Sequence, residues 1–215
     1  MGLDIFFYKT KHAYNGDRHE LRDLTEKDAQ DEMRKKYDAA IKKIKACKSG
    51  MEMEEQSVKC AKSLSKLINY PQFTLDKIGV QMDYSRGELT FTPTTLSVWE
   101  KEKESIIKDT DAKFDAYFRK VNFIFDYFAE KGKMEEEYFA WIDKDDVEDI
   151  IDRCDKVLAD HSLADKLLPT QSGPFFGSTE YDEWYFLKVK NARKQMKGLL
   201  KFFDKGYNMY VIFSW

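Results

Sequence analysis

Hydrophobic residues recur every three or four positions in five long stretches of the chain, which is the spacing of amphipathic helices. The first two stretches run from Thr25 to about Asn69 and are joined at Ser49-Gly50, where glycine can take the left-handed position that ends the first helix. So short a link predicts a helical hairpin, and Pro71 ends its second helix. The other three predicted helices cover residues 97–131, with a break near Asp109-Thr110 left open, 143–158 and 179–205.

Shorter stretches are rich in aromatic and β-branched residues or alternate between apolar and polar positions, which predicts β-strands. These stretches are residues 3–9, 137–142 and 207–213, together with a β-hairpin over 78–92 whose turn is Ser85-Arg86-Gly87 and which Pro93 closes. The first and last strands need partners for their backbone groups, so we expect them to lie in one small sheet.

These elements predict an α+β fold that is mainly α. Three long core helices would pack on a small sheet holding the terminal strands, and an inserted helical hairpin and β-hairpin would complete the chain. A length of 215 residues fits a single domain, 1–215. Within it we expect a core formed by residues 1–9 and 110–215. Residues 10–109 would be an insertion that contains the helical hairpin (25–69) and the β-hairpin (78–92).

Composition favours a globular protein with solvated helix faces, since aromatic residues make up 15% of the chain and charged residues 35%. The net charge of -3 selects no class of partner. The basic stretch 34–48 lacks a nucleic-acid reading motif, and Tyr37 is its one aromatic residue, so we do not expect nucleic acid as a partner.

Cysteine and histidine patterns offer no catalytic or metal centre. The odd number of cysteines argues against a disulfide framework and for a reducing compartment. Cys154 lies on an apolar helix stripe, whereas Cys47 lies near Lys45 and Lys48, whose charges favour a lower thiol pKa. We interpret both, and Cys60, as structural. The three histidines have no zinc-site spacing, so we expect no metal and no cofactor.

No apolar run approaches the roughly 18 residues that cross a bilayer. The chain opens with Met1-Gly2-Leu3-Asp4, without a basic-then-apolar leader. We therefore expect a cytoplasmic protein that does not contact membranes.

The segment 168–182 is the most unusual part of the sequence. Two prolines and two glycines surround Phe175-Phe176, which predicts a rigid loop with at least one phenylalanine inserted into the core. Its polar residues make it either a ligand pocket or a loop pinned to the core. The carboxylates of Glu180, Asp182 and Glu183 follow; they would cap the final helix, or act as an acid/base pair or Mg²⁺ ligands.

Four segments resemble one family of bacterial and phage proteins for which no activity is established. They are residues 1–4, 117–128, 141–158 and the long motif LLPTQSGPFFGSTEYDEWY at 167–185, in which Pro174 stands where the family often has Phe. Residues from about 9 to 109 are not covered. The resemblance implies a bacterial or phage gene and a cytoplasmic setting. It also marks seven putative binding residues: Asp4, Asn122, Gln171, Ser172, Glu180, Tyr181 and Asp182.

From these observations we expect a non-enzymatic intracellular protein that binds another macromolecule, with a protein as the partner, as a phage or mobile-element accessory factor would. The alternative is a small-ligand-binding protein or an enzyme that uses the loop 168–182. A concave pocket lined by Asp4, Gln171 and Asp182 would favour the alternative, whereas a filled loop would favour the first hypothesis.

Overall fold

The structure, a computed structural model, describes residues 2–83, 88–92, 94–134 and 138–215. The fold is α+β and mainly α, as predicted, with 58% helix, eight helices and a small antiparallel sheet of four strands in the described residues. The chain divides into two compact units. Unit 1 comprises Met1–Leu21 and Phe114–Trp215, and unit 2 comprises Arg22–Lys113. That residues 10–109 are an insertion stays a prediction.

The elements are numbered in chain order. The helices are α1 (Arg18–Lys45), α2 (Gly50–Ser65), α3 (Pro71–Thr74), α4 (Leu96–Lys108), α5 (Asn122–Glu130), α6 (Lys144–Ala159), α7 (Ala164–Leu167) and α8 (Glu183–Phe203). The strands are β1 (Asp4–Thr10), β2 (Val80–Asp83), β3 (Glu88–Phe91), β4 (Ala116–Arg119), β5 (Phe139–Ile142) and β6 (Asn208–Ser214). Short 3₁₀ helices cover Asp76–Ile78 and His161–Leu163.

The sheet of unit 1 joins the first and last strands, as predicted. Its order is β4-β1-β6-β5, and all neighbours are antiparallel. Strands β1 and β6 pair along their whole length, from Asp4↔Ser214 to Thr10↔Asn208. Strand β6 is therefore internal, and β4 and β5 are the edges of the sheet.

One face of this sheet forms the main core. Alternate residues of the two long strands, including Ile5, Phe7, Val211 and Phe213, are buried in one cluster with side chains of α5, α6 and α8. Helices α6 and α8 pack against each other. The opposite face carries aromatic residues, among them Tyr8, which stacks on Tyr210 at 5.2 Å between ring centroids.

Unit 2 has a hydrophobic core of its own. Buried residues of α1, α2, α4 and β2 form one cluster, in which Tyr37 donates a hydrogen bond to the carbonyl oxygen of Trp99 at 2.7 Å. Strands β2 and β3 pair antiparallel, from Val80↔Phe91 to Asp83↔Glu88, so the predicted β-hairpin is present. The predicted turn of this hairpin at 85–87 and the proline that closes it, Pro93, lie outside the described residues. So does residue 137, the predicted first residue of the strand 137–142.

The predicted helix over 97–131 does break near Asp109-Thr110, but the prediction that residues 110–121 are helical is wrong. Helix α4 ends at Lys108, residues 116–119 form β4, and α5 begins at Asn122. Phe114, Tyr117, Phe118 and Val121 have helical spacing, but pairing with the distant β1 gives this backbone better partners. Lys120 has φ 55°, a value that no α-helix accommodates.

Two helix boundaries also differ from prediction. Helix α1 begins at Arg18 and not at Thr25, because the side chain of Asp17 accepts hydrogen bonds from two N–H groups of its first turn. Gly50 does not end a helix in the left-handed conformation. It is the first residue of α2, which Ser49 caps by accepting a hydrogen bond from a backbone N–H of the first turn.

Among the described residues, no helix is both long enough and apolar enough to cross a bilayer.

Candidate functional site

The predicted loop is an Ω-loop whose two ends are tied together by Thr170. The Thr170 hydroxyl donates to the carbonyl oxygen of Thr179 at 2.9 Å, and its backbone N–H donates to the hydroxyl of Tyr181 at 3.3 Å. Residues 171–178 therefore leave and return at one point, which is the geometry of a compact Ω-loop. Tyr181, one of the predicted binding residues, closes this neck.

Asn122 clips the loop to the core. Its side chain is only 3% exposed, and its Nδ2 donates to the carbonyl oxygens of Gln171 at 3.0 Å and Ser178 at 3.3 Å. One buried amide thus holds both sides of the loop against the first turn of α5. The donors of Asn122 are already engaged, so the structure places this predicted binding residue in a supporting position.

Phe176 anchors the loop, which confirms that at least one of its phenylalanines enters the core. The side chain is 6% exposed, and its ring lies 5.1 Å from the rings of both Phe125 and Trp215 in edge-to-face contacts. Gly173 lies directly beneath this ring, because a Cβ atom at that position would come within 3.1 Å of it. The interior of the loop is therefore filled by Phe176.

The neighbouring Phe175 turns outward and links the loop to the sheet. Its side chain is 46% exposed, and its φ of 76° is costly for a residue with a Cβ atom. Its carbonyl oxygen accepts a hydrogen bond from the backbone N–H of Leu3 at 3.0 Å. The strained turn thus joins the loop to the chain just before β1.

Helix α8 begins at Glu183, four residues later than the predicted start near Thr179. Asp182 has extended backbone angles, and its side chain accepts a hydrogen bond from the backbone N–H of Tyr185 at 2.9 Å, so it is the N-cap. The Tyr185 hydroxyl in turn donates to the carbonyl oxygen of Leu168 at 2.7 Å. These contacts fix the first turn of α8 to both ends of the loop.

Replacing Asp182 with alanine should therefore lower stability. Removing an N-cap of this kind costs roughly 0.5–2 kcal/mol. The matched control is Glu180→Ala, since the Glu180 side chain is exposed and does not cap the helix. Thermal unfolding followed by circular dichroism should show a lower midpoint for Asp182→Ala than for the control. Equal midpoints would mean that the cap contributes nothing.

The other predicted residues are not all brought together. Asp4 binds the hydroxyl of Tyr117, and both of its oxygens lie 2.9 Å from Nη1 of Arg119. It therefore pairs across β1 and β4, whereas Gln171 lies in the loop. In the described part of the chain, the buried Oε1 of Gln171 has no hydrogen-bond partner. Ser172 and Glu180 are exposed.

Sequence reasoning missed an exposed apolar pair beside the loop. Trp184 is 73% exposed and Leu187 is 54% exposed. The two residues are three positions apart on α8 and are therefore neighbours on the helix surface. We refer to this pair as the α8 patch. The sequence pattern could have revealed this pair, because both residues lie outside the predicted apolar stripe of α8. The members of that stripe, which include Tyr185, Val189, Ala192 and Met196, are buried in the structure. Lys188 adjoins the patch and donates to the carbonyl oxygen of Lys120 at 3.0 Å. Burial lowers the pKa of Lys188, although the charge of Asp182 opposes this.

Two of the cysteines have a raised pKa, which disfavours the reactive thiolate form. Burial raises the pKa of Cys154 to about 12, so its thiol stays protonated at neutral pH. Desolvation and, after it, the charge of Glu52 raise the pKa of Cys47, which is opposite to the effect that its neighbouring lysines would have. Within the described ranges, no three His, Cys, Asp or Glu side chains are grouped so as to hold a metal ion.

Comparisons with protein-family models, with curated proteins and with solved structures each find no match. The resemblance to the bacterial and phage family therefore rests on the motifs at residues 1–4, 117–128, 141–158 and 167–185 alone.

Proposed function

We propose that this protein is a non-enzymatic cytoplasmic factor that binds another protein through the α8 patch. It would act as an accessory factor of a phage or a mobile element, and the resemblance to bacterial and phage proteins supports this setting. The observation that carries the proposal is Trp184, a residue that is 73% exposed on a helix whose other face is anchored to the core. Tryptophan is enriched among the residues that dominate binding energy at protein interfaces.

The frame around the patch supports this role. Asp182 caps the helix, and the hydroxyl of Tyr185 ties its first turn to Leu168. Thr170 ties the neck of the loop to Tyr181, and Asn122 holds the loop against the first turn of α5. A partner would therefore meet side chains on a fixed backbone, and binding would cost less conformational entropy than it would on a mobile segment.

The charges beside the patch favour a protein over nucleic acid. Glu183 lies four residues before Leu187 and Lys190 three residues after it, and Lys188 is four residues from Trp184, so charges of both signs border the apolar pair. An apolar centre with a mixed polar rim is typical of protein interfaces. A nucleic-acid site needs an excess of positive charge to neutralise phosphates.

Photo-crosslinking in native cells tests the proposal. A crosslinking amino acid at Leu187 should capture a defined protein, whereas the same amino acid at Lys201, an exposed residue about four turns further along α8, should not. Affinity for the purified partner should then fall at least about 30-fold in Trp184→Ala, since a central aromatic anchor contributes about 2 kcal/mol or more.

Phe73→Ala is the matched control for that measurement, because Phe73 is an equally exposed aromatic residue in unit 2, at 74%. It should leave the affinity unchanged. The proposal fails if Trp184→Ala binds the captured protein as tightly as the wild type does, or if both crosslinking positions capture the same proteins.

The alternative, a small-ligand or enzyme site at residues 168–182, is favoured by the unpaired Oε1 of Gln171. The filled interior of the loop supports the first proposal over this one. A fragment screen followed by NMR distinguishes them. Fragments that shift the resonances of Gln171 in the wild type and lose binding in Gln171→Ala would support a ligand site.

A further inference from the structure

Helix α3 of unit 2 presents two aromatic side chains to solvent. Tyr70 is 56% exposed and Phe73 is 74% exposed, and the two are three residues apart across the start of the helix. Pro71 and Thr74 of the same helix are buried. The backbone that carries the two rings is therefore fixed against unit 2, whereas the rings themselves lie outside its core.

Two hydrogen bonds bring lysines to the side of these rings. The Nζ of Lys113 donates to the carbonyl oxygen of Lys66 at 2.7 Å, and the Nδ2 of Asn69 donates to the carbonyl oxygen of Ala112 at 2.8 Å. The last residues of unit 2 are thereby tied to the chain that leads from α2 into α3. Lys62 lies one helical turn before Lys66, the C-cap of α2. We refer to the two rings and these three lysines as the α3 surface: Tyr70, Phe73, Lys62, Lys66 and Lys113.

The contacts of these lysines leave their positive charges uncompensated. Lys113 donates to a carbonyl oxygen, and the Nζ of Lys62 lies 5.3 Å from the centroid of the Phe91 ring, so both partners are uncharged. Lys66 is exposed. The dipole of α2 favours lysines at its C-terminal end, but it does not explain why two exposed rings follow them.

Acids near the α3 surface do not cancel this charge. Asp111 is close to Lys113 in the sequence, but its carboxylate interacts with Arg22 and Glu26 of α1. Asp76, three residues beyond the second ring, is one carboxylate against three ammonium groups. Positive charge beside exposed aromatic rings matches the two needs of single-stranded nucleic acid, whose phosphates bind ammonium groups and whose bases stack on flat faces.

We propose that the α3 surface binds single-stranded nucleic acid. The bases stack on the two rings, and the phosphates lie against the three lysines. A duplex is a poorer ligand, because its bases are stacked on one another and do not reach the rings. The carboxylates of an acidic protein would use the lysines but not the rings.

The α3 surface is separate from both the basic stretch 34–48 and the α8 patch. The expectation that nucleic acid is not a partner rested on that stretch, where Arg34 and Lys45 pair with glutamates of α4. The α3 surface depends instead on a contact between lysines that are far apart in the sequence. The inference does not depend on the proposed protein partner.

Fluorescence anisotropy with labelled oligonucleotides tests the proposal on the full chain at low salt. An oligothymidylate of about 16 nucleotides should bind at least about fivefold more tightly than an abasic strand of the same length, which has the phosphates but no bases to stack. Phe73→Ala should lower the affinity for the oligothymidylate at least about fivefold and leave that for the abasic strand unchanged. Tyr70→Phe, which keeps the ring, should bind as the wild type does. An oligouridylate of equal length shows whether RNA or DNA is preferred.

Lys66→Ala tests the phosphate contact. It should weaken binding of both strands and reduce the slope of log K against log salt concentration by about 0.7, the value for one phosphate contact on a single strand. Lys36→Ala removes the same charge from α1, where Lys36 is paired with Glu32, and should leave the slope unchanged. Trp184→Ala should bind the oligonucleotides as the wild type does, which keeps this result separate from the test of the α8 patch.

Three results would overturn the proposal: no binding of the oligothymidylate at low salt, equal affinity for strands with and without bases, or a folded Phe73→Ala that binds as the wild type does. Circular dichroism checks the fold of Phe73→Ala, which the exposure of this ring should leave intact. Tighter binding of anionic vesicles or of polyglutamate than of the oligothymidylate would also overturn it, because the surface would then serve a membrane or an acidic protein.

Discussion

Removing residues 207–215 should abolish the folded state of unit 1. These residues contain β6, which pairs with β1 through seven residue pairs and with β5 through four. Without β6, the two strands on either side of it lose their common partner, and β5 loses its place in the sheet. Backbone groups at the centre of a sheet have no solvent to replace their partners.

The energy involved is comparable to the whole stability of a domain. Met209, Tyr210, Val211 and Phe213 are all buried. Burying one side chain of this kind contributes roughly 1.5–3 kcal/mol, so four contribute roughly 6–12 kcal/mol. Domains as a rule are stable by about 5–15 kcal/mol, so unit 1 of the truncated chain should not hold its structure.

Two-dimensional NMR and thermal unfolding of the truncated chain would measure this, with removal of Trp215 alone as the control. Trp215 follows β6 and is partly exposed, so its loss should leave the ladder intact. If the chain ending at Gly206 melts at the same temperature as the full chain, then β6 does not hold the sheet together.

The pairing of the first and last strands could be predicted from sequence because both segments are dense in aromatic and β-branched residues. Strand β4 could not. Tyr117, Phe118 and Val121 fit a helical stripe as well as they fit a strand, and no local signal distinguishes the two readings. The decision comes from β1, which precedes β4 in the chain by more than a hundred residues and supplies partners for its backbone.

In the candidate site, too, some features could be predicted from the local sequence and others depend on distant parts of the chain. The composition of the loop predicted a buried phenylalanine, because two adjacent aromatic rings between prolines and glycines are too apolar to stand in water. The role of Asn122 could not be predicted, since it depends on the loop returning to α5 from 49 residues away. The partners of Asp4 follow from β4, so the missed strand also hid the ion pair with Arg119. Trp184 could have been noticed as a large residue outside the buried stripe of α8.

Phe176→Ala should cost about 3 kcal/mol or more, which is the lower end of the range for a buried phenylalanine. Its ring lies between Gly173 and the rings of Phe125 and Trp215, so truncation would leave a cavity that these neighbours cannot close without moving the loop. Glycine has no side chain to fill that space, and Phe125 is held in place by its contact with Phe213.

Phe175→Ala is the matched control, since it removes the same ring from the adjacent residue. That ring is 46% exposed, and alanine keeps the Cβ atom that strains the positive φ, so the change should cost less than about 1 kcal/mol. Denaturant unfolding of the two variants measures the difference directly. Hydrogen exchange adds a local readout: the Leu3 amide, which binds the Phe175 carbonyl oxygen, should exchange faster in Phe176→Ala. Equal losses of stability in the two variants would show that the loop is not anchored by Phe176, and the fixed frame proposed for the α8 patch would then lose its main support.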